Sequence, residues 1–347
     1  MTAHHAHRLG ALAIALASLA GIAHGQGTEY RMDSSGRWTP VPADEHDADR
    51  QVMTRTRELL AAGNFDEARA LIHPWLNANS GSGSPYVPEA YILRGDAKVG
   101  QGDEFDALYD YERVVNRFPS SEMFAIALER ELDVAVLYFN GLRRRSLGLF
   151  RIDSGRPIAE EIVMRINERL PGSKLAERAL LELGNHYYKR RELRMAAETY
   201  DVFLTLFPTS RHRLFAMQRR IFSNVARFKG PRYDATPLIE ARLQIDQFAA
   251  NGAETAEQLG LGEELKIRLD EAAAEQMLEV SNWYIKRGDP TSARFTMQRL
   301  VRRFPSTKAA ETAFDELTAR GWMTPAPAAP ADPADPQPSP APAETAP

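Results

Sequence analysis

One pattern of apolar positions recurs along the chain: a small Ala, an apolar residue four places on, another three later, then an apolar residue followed by Pro. It reads Ala107, Tyr111, Val114, Phe118-Pro119; Ala159, Val163, Ile166, Leu170-Pro171; Ala196, Tyr200, Phe203, Phe207-Pro208; and Ala293, Met297, Leu300, Phe304-Pro305. Spacings of four and three place these side chains on one helical face, with Ala where a partner helix approaches closely and Pro where the helix must stop. Each phrase predicts the second helix of a helix-turn-helix repeat.

Two weaker copies, Ala68, Ile72, Trp75 and Ala241, Ile245, Phe248, lack the closing Pro. Between equivalent Ala residues the intervals are 39, 52, 37, 45 and 52, near or above the tetratricopeptide period of about 34. Tyr91, Gly95 and Gly102 precede Ala107 at tetratricopeptide offsets, as Leu180, Leu183-Gly184 and Tyr187 precede Ala196. The expected fold is therefore all-α, a right-handed tetratricopeptide (TPR) solenoid of about five to six repeats. Hydroxyls after the closing prolines (Ser120-Ser121, Ser173, Thr209-Ser210, Ser306-Thr307) offer N-caps to the next helix, while Thr236-Pro237 and Asp289-Pro290 pair an N-cap with Pro at the first helical position. Ser80-Gly81-Ser82-Gly83-Ser84-Pro85 reads as a connection between the first two repeats.

The two ends have a different composition. After Arg8, residues 9–23 are an Ala/Leu/Ile run too short to span a bilayer comfortably, and with Ala23-His24-Gly25 they predict a signal peptide over residues 1–25. Its removal takes one Arg and no acid, moving the net charge from −4 to −5, so composition does not point to nucleic acid. Residues 26–48 form a turn-rich lead-in, residues 49–322 the solenoid, and residues 323–347 a disordered Pro/Ala-rich tail with nothing large and apolar to bury. Without cysteine, disulfides and thiolate metal sites are excluded, and Leu19-Ala20-Gly21-Ile22 has Ile where a lipoprotein box needs its acylated Cys.

The 52-residue interval before Ala159 holds an insertion with Arg143, Arg144, Arg145, Leu147, Leu149, Phe150, Arg151 and Arg156. A basic run beside apolar residues suits an anionic membrane surface or an acidic partner; the alternative is a solvated charged face whose apolar residues fold back on the solenoid. No Gly-x-Ser-x-Gly, Walker loop, His-Glu-x-x-His or calcium loop occurs, and the sequence points to no cofactor, no metal and no enzyme activity. Binding remains. In the tetratricopeptide register Arg178, Leu181, Asn185, Tyr188 and Lys189 face the concave groove, and Glu275, Leu278, Asn282, Ile285 and Lys286 hold the same offsets in the last repeat. Asn and Lys four apart would present a donor and a cation to a peptide carboxylate or carbonyl, unless they are simply solvated.

The C-terminal third carries a family likeness: Arg268-Leu269-Asp270, Val280-Ser281-Asn282-Trp283-Tyr284-Ile285-Lys286-Arg287-Gly288, then Ala293 through Phe304-Pro305-Ser306-Thr307. With Phe203-Leu204 through Phe207-Pro208-Thr209-Ser210 and Asp234-Ala235-Thr236-Pro237, the chain from roughly Met53 to Leu317 resembles the BamD (YfiO/ComL) outer-membrane assembly proteins. That resemblance implies a periplasmic adaptor beside an Omp85-type β-barrel insertase, with C-terminal repeats meeting the insertase and the groove meeting unfolded outer-membrane proteins. Arg287, Arg299, Arg302 and Arg303 cluster around one repeat and are the expected docking cations, the alternative being a solvated helix end whose cations oppose the macrodipole. Ile22 in place of the lipid-bearing Cys departs from the family, so the expectation is a periplasmic protein without lipid or membrane span, either attached to the outer membrane through a partner or free in the periplasm. A division-coordinating tetratricopeptide protein is the second reading, although it expects a coiled coil that residues 26–48 do not show. An envelope enzyme, requiring acids such as Glu131 or Glu161, is the third.

Overall fold

A computed structural model describes residues 30–32, 36–40, 47–146, 150–250 and 252–323. The expected signal peptide, most of the lead-in and residues 324–347 lie outside the described residues. The chain divides into two compact units, 1–183 and 184–347, the division falling within one helix.

In the first unit a small antiparallel hairpin, β1 (Tyr30–Met32) and β2 (Trp38–Pro40), precedes three helix pairs. These are α1 (Asp47–Ala61) with α2 (Phe65–Asn79), α3 (Val87–Gly100) with α4 (Glu104–Arg117), and α5 (Met123–Phe139) with α6 (Arg156–Arg169). Between the helices of the third pair lies a second antiparallel hairpin, β3 (Arg143–Ser146) and β4 (Phe150–Ser154), with a register irregularity at Arg144/Arg145. Each helix packs on its neighbours in sequence, and α3 packs also on α1 and α5, as stacked tetratricopeptide repeats do. Helix α7 (Lys174–Lys189) carries the chain across the division.

The second unit continues with α8 (Leu193–Leu206), α9 (Arg213–Arg227), α10 (Thr236–Ala249), the short α11 (Ala253–Gln258), the long α12 (Glu263–Lys286), α13 (Pro290–Arg303) and α14 (Lys308–Ala319). One apolar cluster gathers Met217, Ile221, Leu238, Ile245, Phe248, Leu261 and Leu265 from α9 to α12. A second gathers Ala274, Met297, Leu300, Ala309, Ala313 and Leu317, with Trp322 and Met323 packed against it. Each large apolar side chain buried in this way contributes about 1.5–3 kcal/mol.

The recurrent phrase lies on the buried face. Its Ala and the two apolar residues that follow are at most 1% exposed in all four full copies, as are Ala68, Ile72, Ala241, Ile245 and Phe248 of the weak ones. Phe118, Leu170, Phe207 and Phe304 share one conformation, φ between −126° and −130° and ψ between 52° and 61°, and each N–H bonds the carbonyl four residues back. The following Pro disfavours helical backbone at that residue, and these four helices stop in the same way, although α2 runs through Pro74 without stopping. Of the expected caps, Ser173 Oγ accepts from Ala176 N at 3.0 Å, Thr307 Oγ1 from Ala310 N at 3.2 Å and Asp289 from Ser292 N at 3.0 Å. Glu271 adds a second cap to α14, accepting from Lys308 N and Ala309 N. Thr236 departs from expectation: it is the first helical residue, and Asp234 two places earlier accepts from both its N–H and its hydroxyl.

Two repeats show why their Gly is small. The Tyr111 ring lies on Gly95 and the Tyr200 ring on Gly184, where an added Cβ would stand 2.8 Å from Tyr200 Cε1. The next residue takes the phenol: Tyr111 OH donates to Asp96 at 2.8 Å and Tyr200 OH to Asn185 at 2.9 Å.

Candidate functional site

The basic insertion is the β3–β4 hairpin, clamped to the start of α4. Arg145 pairs with Asp103 at 2.8 Å; Arg151 donates to the Gly102 carbonyl at 3.0 Å and to Glu104 at 2.9 Å. Arg144 pairs with Asp153 at 3.1 Å and lies 4.6 Å from the centre of the Phe105 ring. The cations thus meet acids on the protein itself, Glu104 among them being buried. Arg143 is exposed and gives its carbonyl to Arg151. Leu149 lies outside the described residues, as does the Phe150 side chain.

The expected groove residues fall into separate settings. Arg178 is tied to Asp133 at 2.8 Å within the first unit. In the second unit Asn185 spends its side-chain carbonyl on Tyr200, while Asn282 makes no such bond because Met297 stands where Tyr200 does and has no hydroxyl. The two asparagines are therefore not equivalent. Tyr188 faces the Arg219 guanidinium at 4.3 Å, and Phe215 lies 5.1 Å away on the same cation. Sequence reasoning missed Arg219, although Phe215 and Arg219 stand four apart on α9. Lys189 and Lys286 are exposed and make no ion pair among the described residues.

The end of α12 and the whole of α13 form a cationic surface. Arg287 lies 4.7 Å over the ring of Trp283, itself 48% exposed. Helix α13 carries Arg294, Arg299, Arg302 and Arg303 and no acid, and all four are exposed. None makes an ion pair among the described residues; Arg303 alone finds a ring, Phe304 at 5.5 Å. Arg302 and Arg303, in the last turn, favour the helix dipole, but Arg294 and Arg299 lie outside that turn and gain nothing from it. Such a surface attracts carboxylates and carbonyls across about 8 Å at physiological salt.

Glu131, the acid that an enzymatic reading needed, is 1% exposed inside the α4–α5–α6 packing, and Glu161 is exposed on α6. Burial pushes the Glu131 carboxyl up to about 7, Arg165 and Arg169 opposing the shift and Glu112 and Glu161 adding to it. Among the described residues no three His, Asp or Glu are grouped to hold a metal ion, and no helix is long and apolar enough to cross a membrane.

Sequence comparison matches residues 157–320 to the family described as YfiO, outer membrane lipoprotein, and residues 89–121 to the tetratricopeptide repeat family. The first match runs from the start of α6 to the end of α14 and takes in the cationic surface. The resemblance to YfiO (BamD-like) proteins holds over that stretch; between Met53 and residue 156 the comparison gives only the repeat match. No curated protein matches the chain. Among solved structures, the C-terminal part of a TPR repeat-containing protein from Cytophaga hutchinsonii is 15% identical, covering 75% of this chain and 98% of its own, with a TM-score of 0.31. So low a score adds nothing to the fold argument.

Proposed function

We propose that this chain, which carries a YfiO domain over residues 157–320 and a tetratricopeptide repeat at residues 89–121, is a non-catalytic periplasmic adaptor in outer-membrane β-barrel protein assembly. Its C-terminal repeats dock a folded periplasmic domain of an Omp85-type insertase, and its groove receives unfolded outer-membrane proteins. Without an acylated Cys, attachment to the membrane runs through the partner.

The observation that supports this reading is the surface of α13 with the end of α12. Helix α13 presents four exposed arginines that make no ion pair among the described residues, a concentration of positive charge that favours an acidic partner. Arg287, Arg299, Arg302 and Arg303 would meet acidic groups of the partner, and Trp283 would supply an apolar anchor beside them. Charges at such a rim act chiefly on association rate and ionic strength dependence. Copurification of the insertase with the parent and with an Arg299→Glu, Arg303→Glu variant tests it. Recovery should fall with added salt for the parent and be lost in the folded variant; equal recovery in all four conditions removes the docking role of these residues.

A further inference from the structure

The sequence that follows α14 has a periodicity of its own. Pro327, Pro330, Pro333 and Pro336 recur every third residue, and Asp332 and Asp335 repeat at the same interval. In a polyproline-II helix, with three residues per turn, this spacing would give one proline edge and one carboxylate edge. Residues 324–347 hold three acids and no cation.

The exposed surface of α13 offers a counterpart for both. On α13 the exposed Phe295, Arg299 and Arg303 follow one another at intervals of four, and Arg294 and Arg302 flank them on the stripe of Gln298. Phe295 is 60% exposed, and proline edges dock on such rings. The described chain ends beside this surface: Gln298 Nε2 donates to the Trp322 carbonyl at 3.2 Å, and Trp322 and Met323 pack on the cluster that contains Met297 and Leu300. At about 3.1 Å per residue, the stretch from Pro327 to Pro336 covers about 28 Å, and α13 is about 21 Å long. Only a few residues separate Met323 from Pro327.

We infer that residues 327–336 of this chain dock along the exposed face of α13, prolines on Phe295 and Asp332 and Asp335 on its arginines. Single exposed ion pairs are weak, but tethering raises the local concentration of the segment to about the millimolar range, so a weak contact is still populated.

A chain without cysteine allows a clean test. A nitroxide placed through Ala334→Cys, on the third edge of the segment, should broaden the amide resonances of Arg294, Arg299 and Arg302 in the full chain at low ionic strength, leaving those of α1 sharp. The broadening should disappear at about 1 M salt, where screening acts within about 3 Å, and in the Asp332→Lys, Asp335→Lys variant, whose folded spectrum should otherwise match. It should also be unchanged on dilution. Broadening of α13 no greater than that of α1, or persisting in the charge-reversed variant, overturns the inference, and broadening that fades on dilution assigns the contact to a second molecule and overturns it equally. Because no insertase is present, the result stands apart from the adaptor reading.

Discussion

Gly184→Ala sets two effects of known sign against each other. Ala is better than Gly in a helix interior by about 0.5–1 kcal/mol, so an unobstructed replacement in α7 would stabilise. Here the new Cβ would stand 2.8 Å from Tyr200 Cε1 and 3.1 Å from Cδ1, inside any ordinary contact. The ring cannot retreat freely, because Tyr200 is fully buried and its hydroxyl is held by Asn185 at 2.9 Å. Overpacking of this kind costs about 1–3 kcal/mol, and losing the phenol hydrogen bond adds about 1 kcal/mol. The substitution should therefore destabilise by about 1–3 kcal/mol net, read as a lower urea midpoint at constant slope. In a Tyr200→Ala background the obstruction is gone, and the same substitution should stabilise by about 0.5–1 kcal/mol. A change of the same sign in both backgrounds would show that the ring on the glycine is not what keeps position 184 small.

Two further outcomes are expected. Glu131, with its folded value raised to about 7 from 4.5, binds more protons folded than unfolded between those values, so it costs nothing below pH 4.5 and destabilises increasingly as pH rises through 7; the loss is on the order of 3 kcal/mol by pH 8. Glu131→Gln should flatten this dependence in urea melts at stepped pH, and a parent whose stability climbs over that window refutes the burial argument. Mass spectrometry of the mature chain should find Gln26 at the N-terminus and no acyl group; retained residues 1–25 or an added lipid mass would end the proposal of attachment through a partner.

Regular features were legible where one residue type answers to one local constraint. Ala196, Tyr200 and Phe203 fix a face by spacing alone, and Phe207-Pro208 fixes a helix end, because both depend on neighbours within a turn or two. The hairpin was not legible in Arg143-Arg144-Arg145: its clamp is Gly102, Asp103 and Glu104, about forty residues earlier, and nothing local reports that distance. Asn185 and Asn282 looked alike for a related reason. What separates them is the hydroxyl of Tyr200 against the thioether of Met297, fifteen residues downstream in each repeat. Arg219 went unnoticed because its partner Tyr188 belongs to another helix. On α13 the sequence showed the cations, while the absence of an ion pair for them among the described residues became visible only in the packed structure.

The adaptor reading meets its most direct test in a pull-down of the full-length protein from envelopes crosslinked in the living cell. The account predicts recovery of an Omp85-type barrel protein, reduced when Arg299 and Arg303 are replaced by Glu. Recovery of division or wall-synthesis proteins with no such barrel, or of no envelope protein, would contradict it.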